Sequence, residues 1–186
     1  TENQHVTFYP HLNVDCNKRA EAPEALRVKT LQTLDDRNLT SADTQIWTDG
    51  SVQGNQTNRG AGFVVYEHRL PIIHQSHPAG AFASSHRTEL LAINEALKAI
   101  RNLHQLSPPR SIAFFTDNRG AIQSLQRGHF NTQDLLTDEI WAQLFSLQQH
   151  KISFQWVPSH IGIAGNEEAD RLAAAGSSLP QFLCPL

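Results

Sequence analysis

Gln45-Ile46-Trp47-Thr48-Asp49-Gly50-Ser51 carries an apolar, β-prone run into an acid, a glycine and a serine. Such a run reads as a buried strand closed by a turn, and it leaves Asp49 where the periodicity asks for a core residue. Outward from it, a turn marked by Gly54, Asn55 and Asn58 leads into two more strand patterns, at 61–68 and 70–77. A helix is expected over 85–106, stopped by Ser107-Pro108-Pro109. Then come a buried strand at 111–116, a short helix after Asp117, a longer helix over 133–149, a strand at 152–157 and a last helix over 166–175. Three consecutive strands followed by alternating helices and strands predict an α/β fold. Its five-stranded mixed sheet has three antiparallel strands and then two parallel ones, flanked by helices.

Residues 1–44 contain Pro10, Pro23 and a short helical pattern over 23–34, and read as a linker or N-terminal extension. The main domain is expected over 45–176, with a C-terminal tail over 177–186. A length of 186 residues suits one such domain plus an appendage rather than two full domains. No apolar run reaches the roughly 18 residues of a membrane span. The opening Thr1-Glu2-Asn3-Gln4-His5 lacks the pattern of a signal peptide, and the absence of Met favours a segment cut from a longer polypeptide. Cys16 and Cys184 lie near opposite ends and suggest no disulfide framework, which points to a reducing intracellular compartment, nucleus or cytoplasm.

Four acids carry the chemistry. Beside Asp49 stand Glu89 in Arg87-Thr88-Glu89-Leu90-Leu91, Asp117 in Phe114-Phe115-Thr116-Asp117-Asn118, and Asp170 in Gly165-Asn166-Glu167-Glu168-Ala169-Asp170. A carboxylate within or at the end of an apolar element is costly to bury unless a cation or hydrogen bonds compensate it. Converging carboxylates raise one another's pKa, and hard divalent cations, which take oxygen ligands, are the simplest remedy. A metal-dependent phosphoryl-transfer site is the leading expectation. Glu89, Ile93, Ala96, Ile100 and Leu103 are spaced 4, 3, 4 and 3, one helical stripe expected to pack on the sheet, with Glu89 its only charged member. Taken singly, three of these acids also have an ordinary structural role. Glu89 suits a helix N-terminus, Asp117 a helix N-cap and Asp49 a turn.

Charge argues neither way by itself. The net charge is -3, and from residue 45 onward ten Lys and Arg face eleven Asp and Glu, or -1. Without a basic cluster, affinity for a polyanion is expected to be modest and sensitive to salt.

Over residues 45–176 the chain resembles the type 1 ribonuclease H family. Thr48-Asp49-Gly50-Ser51, Thr88-Glu89-Leu90, Thr116-Asp117 and His160-x-Gly162-x-x-Gly165-Asn166-x-x-Ala169-Asp170 stand in that family's order and spacing. Trp156-Val157-Pro158-Ser159-His160 looks most like the ribonuclease H domains of non-LTR retrotransposon polyproteins, which lie downstream of a reverse transcriptase. The resemblance implies a ribonuclease H-like fold and hydrolysis of the RNA strand of RNA/DNA hybrids by two Mg²⁺ ions, with Mn²⁺ as a substitute, leaving 5′-phosphate and 3′-hydroxyl ends. It further implies that Asp49 bridges both ions, that Asp170 holds the ion activating water, and that Glu89 and Asp117 hold the ion facing the leaving oxygen. His160 would assist proton movement or product release. Gly50, Ser51, Ser85, His86, Arg87 and Arg119 are the expected substrate contacts. Ser85-His86 and Asn118-Arg119 depart from the family's usual residues, and 126–133 lacks the basic insertion of some bacterial members. The alternatives of other classes are a catalytically weak ribonuclease H-like tether or clamp within a reverse-transcriptase polyprotein, and a nuclease of the same superfold with differently placed acids. The chain keeps all four acids and the histidine, against the first, and has Glu89 on the first long helix, against the second.

Overall fold

The computed structural model describes residues 5–53, 58–81, 83–128 and 134–182; Gly54, Asn55, Cys184 and residues 129–133 of the 126–133 loop lie outside them. In chain order the elements are β1 Val6–Tyr9, α1 Pro23–Asp36, β2 Thr44–Gln53, β3 Asn58–Glu67, β4 Leu70–Pro78, α2 Ser85–His104, β5 Ser111–Thr116, α3 Arg119–Gln126, α4 Leu135–Phe145, β6 Lys151–Trp156 and α5 Ala164–Ser177. The sheet order is β1-β6-β5-β2-β3-β4. Strands β2, β3 and β4 pair antiparallel, whereas β2 with β5, β5 with β6, and β6 with β1 pair parallel.

The sheet therefore has six strands, one more than the sequence predicts. The sixth is β1, whose four residues pair with β6 from Val6 opposite Ile152 to Tyr9 opposite Gln155. A four-residue, half-buried edge strand is too short for its periodicity to stand out. Phe8 nevertheless stacks on Phe154 at 5.4 Å, which holds it to the sheet.

Alternation along the central strands builds a core on each face. Ile112 and Phe114 of β5 join Ile46, Phe63, Phe154 and the apolar sides of α2, α3 and α4. Ala113 and Phe115 join Trp47, Val64, Leu26 and Leu34 of α1, and Ala169 and Leu172 of α5. The predicted stripe of α2 is buried at Glu89, Ile93, Ala96 and Ile100, but Leu103 is 43% exposed. A strict 4-3 spacing drifts by about 20° per heptad on an α-helix, so two heptads carry Leu103 off the contact line. His104 turns inward in its place and meets Glu67 Oε1 at 2.5 Å.

The strand directions place the site. β2, β5, β6 and β1 run the same way, and β4, two antiparallel steps from β2, does too. Their carboxyl ends, the start of α2 after β4 and the start of α5 after β6 therefore gather at one end of the sheet, where ligand sites of open α/β sheets collect.

Candidate active site

Asp49 in β2, Glu89 in the second turn of α2 and Asp117 just beyond β5 meet at that end, with one oxygen from each within 4.8 Å of the others. Asp49 and Glu89 are 6% and 1% exposed. Glu89 is held from both strands: the hydroxyls of Thr48 and Thr116 each donate to its Oε1 at 2.8 Å. The approach of β2 to α2 depends on Gly50, where a Cβ would lie 2.8 Å from the Glu89 amide nitrogen. The Gly50 amide instead donates to Asp49 Oδ1 at 2.8 Å.

The last motif closes the site through backbone shape. His160 and Gly162 take left-handed φ angles of 57° and 82°, turning the chain after β6 into α5. At Gly165 a Cβ would sit 2.4 Å from the Trp47 ring, so only glycine seats α5 on the sheet. That seating lets the buried Asn166 amide donate to Asp117 Oδ2 at 3.3 Å. One turn later, exposed Asp170 brings a further carboxyl close to Asp49 and helps to raise its pKa. Three of the four expected acids thus form a tight set, with Asp49 and Glu89 buried and Asp117 half-buried, and Asp170 stands at its rim. His160 is exposed, close enough for its charge to act on Asp117.

The electrostatics follow from crowding. Burial, then the charges of Glu89 and Asp117, push the Asp49 carboxyl up to about 10. Burial and the Asp117 charge raise Glu89 to about 7 against the Thr116, Thr48 and Gly50 hydrogen bonds. Burial raises Asp117 as well, opposed by Asn166 and by the charges of Lys18 and His160. Such a set cannot be fully ionised near neutral pH without a cation. Its donors are all hard carboxylate oxygens, which fit Mg²⁺ or Mn²⁺.

A ribonuclease H family model matches residues 41–178. The chain is also 31% identical over 140 residues to the ribonuclease H of Thermosynechococcus vestitus, covering 69% of this chain and 84% of the relative. It is 30% identical to the ribonuclease H of Nitratidesulfovibrio vulgaris, covering 75% and 92%, and 30% identical to the ribonuclease HI of Pasteurella multocida, covering 73% and 90%. The chain belongs to the ribonuclease H family. Membership makes it an enzyme of the hydrolase class, a nuclease, and gives its acidic cluster a family setting.

The expected substrate contacts are placed less uniformly. Gly50 and Ser51 are half-buried beside the acids, and Ser85 is exposed at the start of α2. His86 is half-buried, its pKa lowered by burial and by the Arg127 charge. Arg87 pairs with Asp134 at 3.5 Å. Arg119 is engaged: its guanidinium lies 4.0 Å over the Trp156 ring and its Nε donates to the Pro10 carbonyl at 2.8 Å. Trp156 in turn donates to the Asp117 carbonyl at 3.2 Å. The N-cap of α3 is Asn118, which accepts from the Ala121 amide at 3.0 Å, so Asp117 is released from capping. Sequence reasoning assigned no role to Asn166, Thr48 or Thr116. The available signal was the Thr-Asp pair repeated at 48–49 and 116–117.

Proposed function

We propose that the chain hydrolyses the RNA strand of RNA/DNA hybrids endonucleolytically by a two-metal mechanism, with 5′-phosphate and 3′-hydroxyl products. The observation that carries this reading is the set of buried Asp49 and Glu89 with half-buried Asp117, whose oxygens lie within 4.8 Å. Two divalent ions bound there would supply a water of lowered pKa and neutralise charge on the departing 3′-oxygen. Asp49 is central because it lies close to Glu89, Asp117 and Asp170 alike. Thr48 and Thr116 fix the Glu89 rotamer, and Asn166 orients Asp117. His160, exposed at the mouth, would assist proton movement or product release. Gly50, Ser51 and Ser85 offer contacts for the 2′-hydroxyl that separates RNA from DNA.

The likeness of residues 156–160 to non-LTR retrotransposon domains supports a place inside the cell, in nucleus or cytoplasm, in a polyprotein with a reverse transcriptase upstream. The relatives above are bacterial ribonucleases H, so that context rests on those residues alone. Among the described residues no helix is long and apolar enough to cross a membrane. The decisive experiment incubates the chain with labelled RNA/DNA hybrid, duplex DNA and duplex RNA, with and without Mg²⁺. Mg²⁺-dependent cutting of the hybrid's RNA strand alone is expected; cutting of duplex DNA, or none of the three, overturns the reading.

A further inference from the structure

Residues 5–40 lie before the family match, yet the fold brings part of them to the catalytic end of the sheet. Because β1 runs parallel to β6, the chain leaving Tyr9 emerges beside the carboxyl ends of β5 and β6, next to Asp117 and the 157–163 loop. Residues 15–21 then form a built turn rather than a loose strand of chain. The Asn17 carbonyl accepts from the Ala20 and Glu21 amides at 3.1 and 2.9 Å, and Glu21 Oε2 accepts from the Asn17 amide at 2.5 Å. Lys29 of α1 clamps this turn, donating to the Asp15 carbonyl at 2.9 Å and pairing with Glu21.

The turn projects Lys18, whose ammonium donates to the hydroxyl of Ser159, the neighbour of His160. Arg27 of α1 flanks the same loop, its Cδ 3.8 Å from where a Cβ of Gly162 would stand. Both side chains are exposed, and among the described residues neither forms an ion pair. Most cations elsewhere near the sheet are spoken for: Arg87 and Arg110 by carboxylates, Arg37 and Arg119 by carbonyls and aromatic rings. Two cations without an ion pair, of which Lys18 already acts by its charge on Asp117, suit an anion that must reach that acidic site.

We propose that Lys18, with Arg27 beside it, binds a backbone phosphate of the nucleic-acid substrate at the His160 side of the active site. The N-terminal segment is then part of the substrate-binding surface, supplying the phosphate grip that the near-neutral 45–186 region lacks. This inference rests on the hybrid-cleaving activity proposed above. Lys18 is a positioning residue: it holds the strand and takes no part in bond breaking.

The test measures binding of a labelled RNA/DNA hybrid to the full chain in an Asp49→Asn background with Mg²⁺, over a range of salt concentrations, alongside kinetics in the otherwise unaltered chain. Lys18→Ala is expected to weaken binding about tenfold, the loss of one charge-assisted contact, and to reduce the slope of log affinity on log salt by about 0.9. Arg27→Ala moves both in the same direction, Lys18→Arg retains them, and KM rises far more than kcat falls. Lys151→Ala, at the opposite end of β6, removes the same formal charge and leaves affinity and slope near their starting values. Hybrid cleavage by the unaltered chain, with Lys18→Ala matching its affinity and slope, overturns the phosphate contact alone. Equal losses in Lys18→Ala and Lys151→Ala also overturn it, since net charge would then be the cause. An unaltered chain that neither binds nor cleaves hybrid overturns the activity itself.

Discussion

Asp49 is the residue on which the site turns. With its carboxyl pushed to about 10 and that of Glu89 to about 7, both lie far above the roughly 3.9 and 4.3 of an unfolded chain. A raised carboxyl pKa adds stability that is fully present below the unfolded value and is lost as pH climbs through the folded one. The metal-free protein should therefore lose stability upward from about pH 4, through 7 and on toward 10. Thermal unfolding checks this: Tm falls between pH 5 and 9, and Mn²⁺ raises it more at pH 8 than at pH 5. Asp49→Asn should flatten that profile, raise the metal-free Tm at pH 8 by several degrees, at about 2–4 °C per kcal/mol, and abolish hybrid cleavage in single-turnover assays. His160 behaves differently because it is exposed and outside the acidic set. His160→Ala should slow turnover by about 10²-fold, a general acid-base contribution, while calorimetry shows Mn²⁺ binding retained. At this scale the acids were legible because a charge in an apolar run is conspicuous. Asn166 was not, since a buried amide reveals its partner only when α5 is docked.

At the scale of elements, α5 acts as a lever for chemistry. Gly165 lets it rest on the Trp47 ring, and its next residues, Asn166 and Asp170, reach Asp117 and Asp49. Gly165→Ala forces a methyl to within 2.4 Å of that ring. Overpacking of this kind costs typically about 1–3 kcal/mol, and the helix must lift to relieve it. Expected together are a lower denaturation midpoint, weaker Mn²⁺ binding by calorimetry and reduced turnover; a stability loss with metal affinity and turnover intact would separate the helix from the site. Most elements were legible from periodicity and their stop signals, as β5 shows, where the expected 111–116 is the observed span. The exceptions were β1, too short to carry a pattern, and the last turn of α2, where helical drift exchanges Leu103 for His104.

For the molecule as a whole, residues 5–40 are built into the fold although they precede the family match. Leu26, Leu34 and Leu39 are buried against Phe115, Val157 and Ile161 on the α5 face. Removing residues 1–40 would open that face and leave the β6 edge unpaired. The shortened chain is expected to aggregate or to unfold without a cooperative transition in denaturant titration; an unchanged midpoint would show these residues to be dispensable for stability.

The sequence alone determined the α/β class, the succession of five strands along the chain and the identity of the acids, because each was written in local periodicity or in a charge against an apolar background. Tertiary structure decided what depends on distant residues. Lys18 meets Ser159 across 141 positions and Arg119 meets Pro10 across 109. Such contacts leave no local trace: only the parallel pairing of β1 with β6 carries the N-terminal segment to the catalytic end, turning Arg119 inward and leaving Lys18 facing the site.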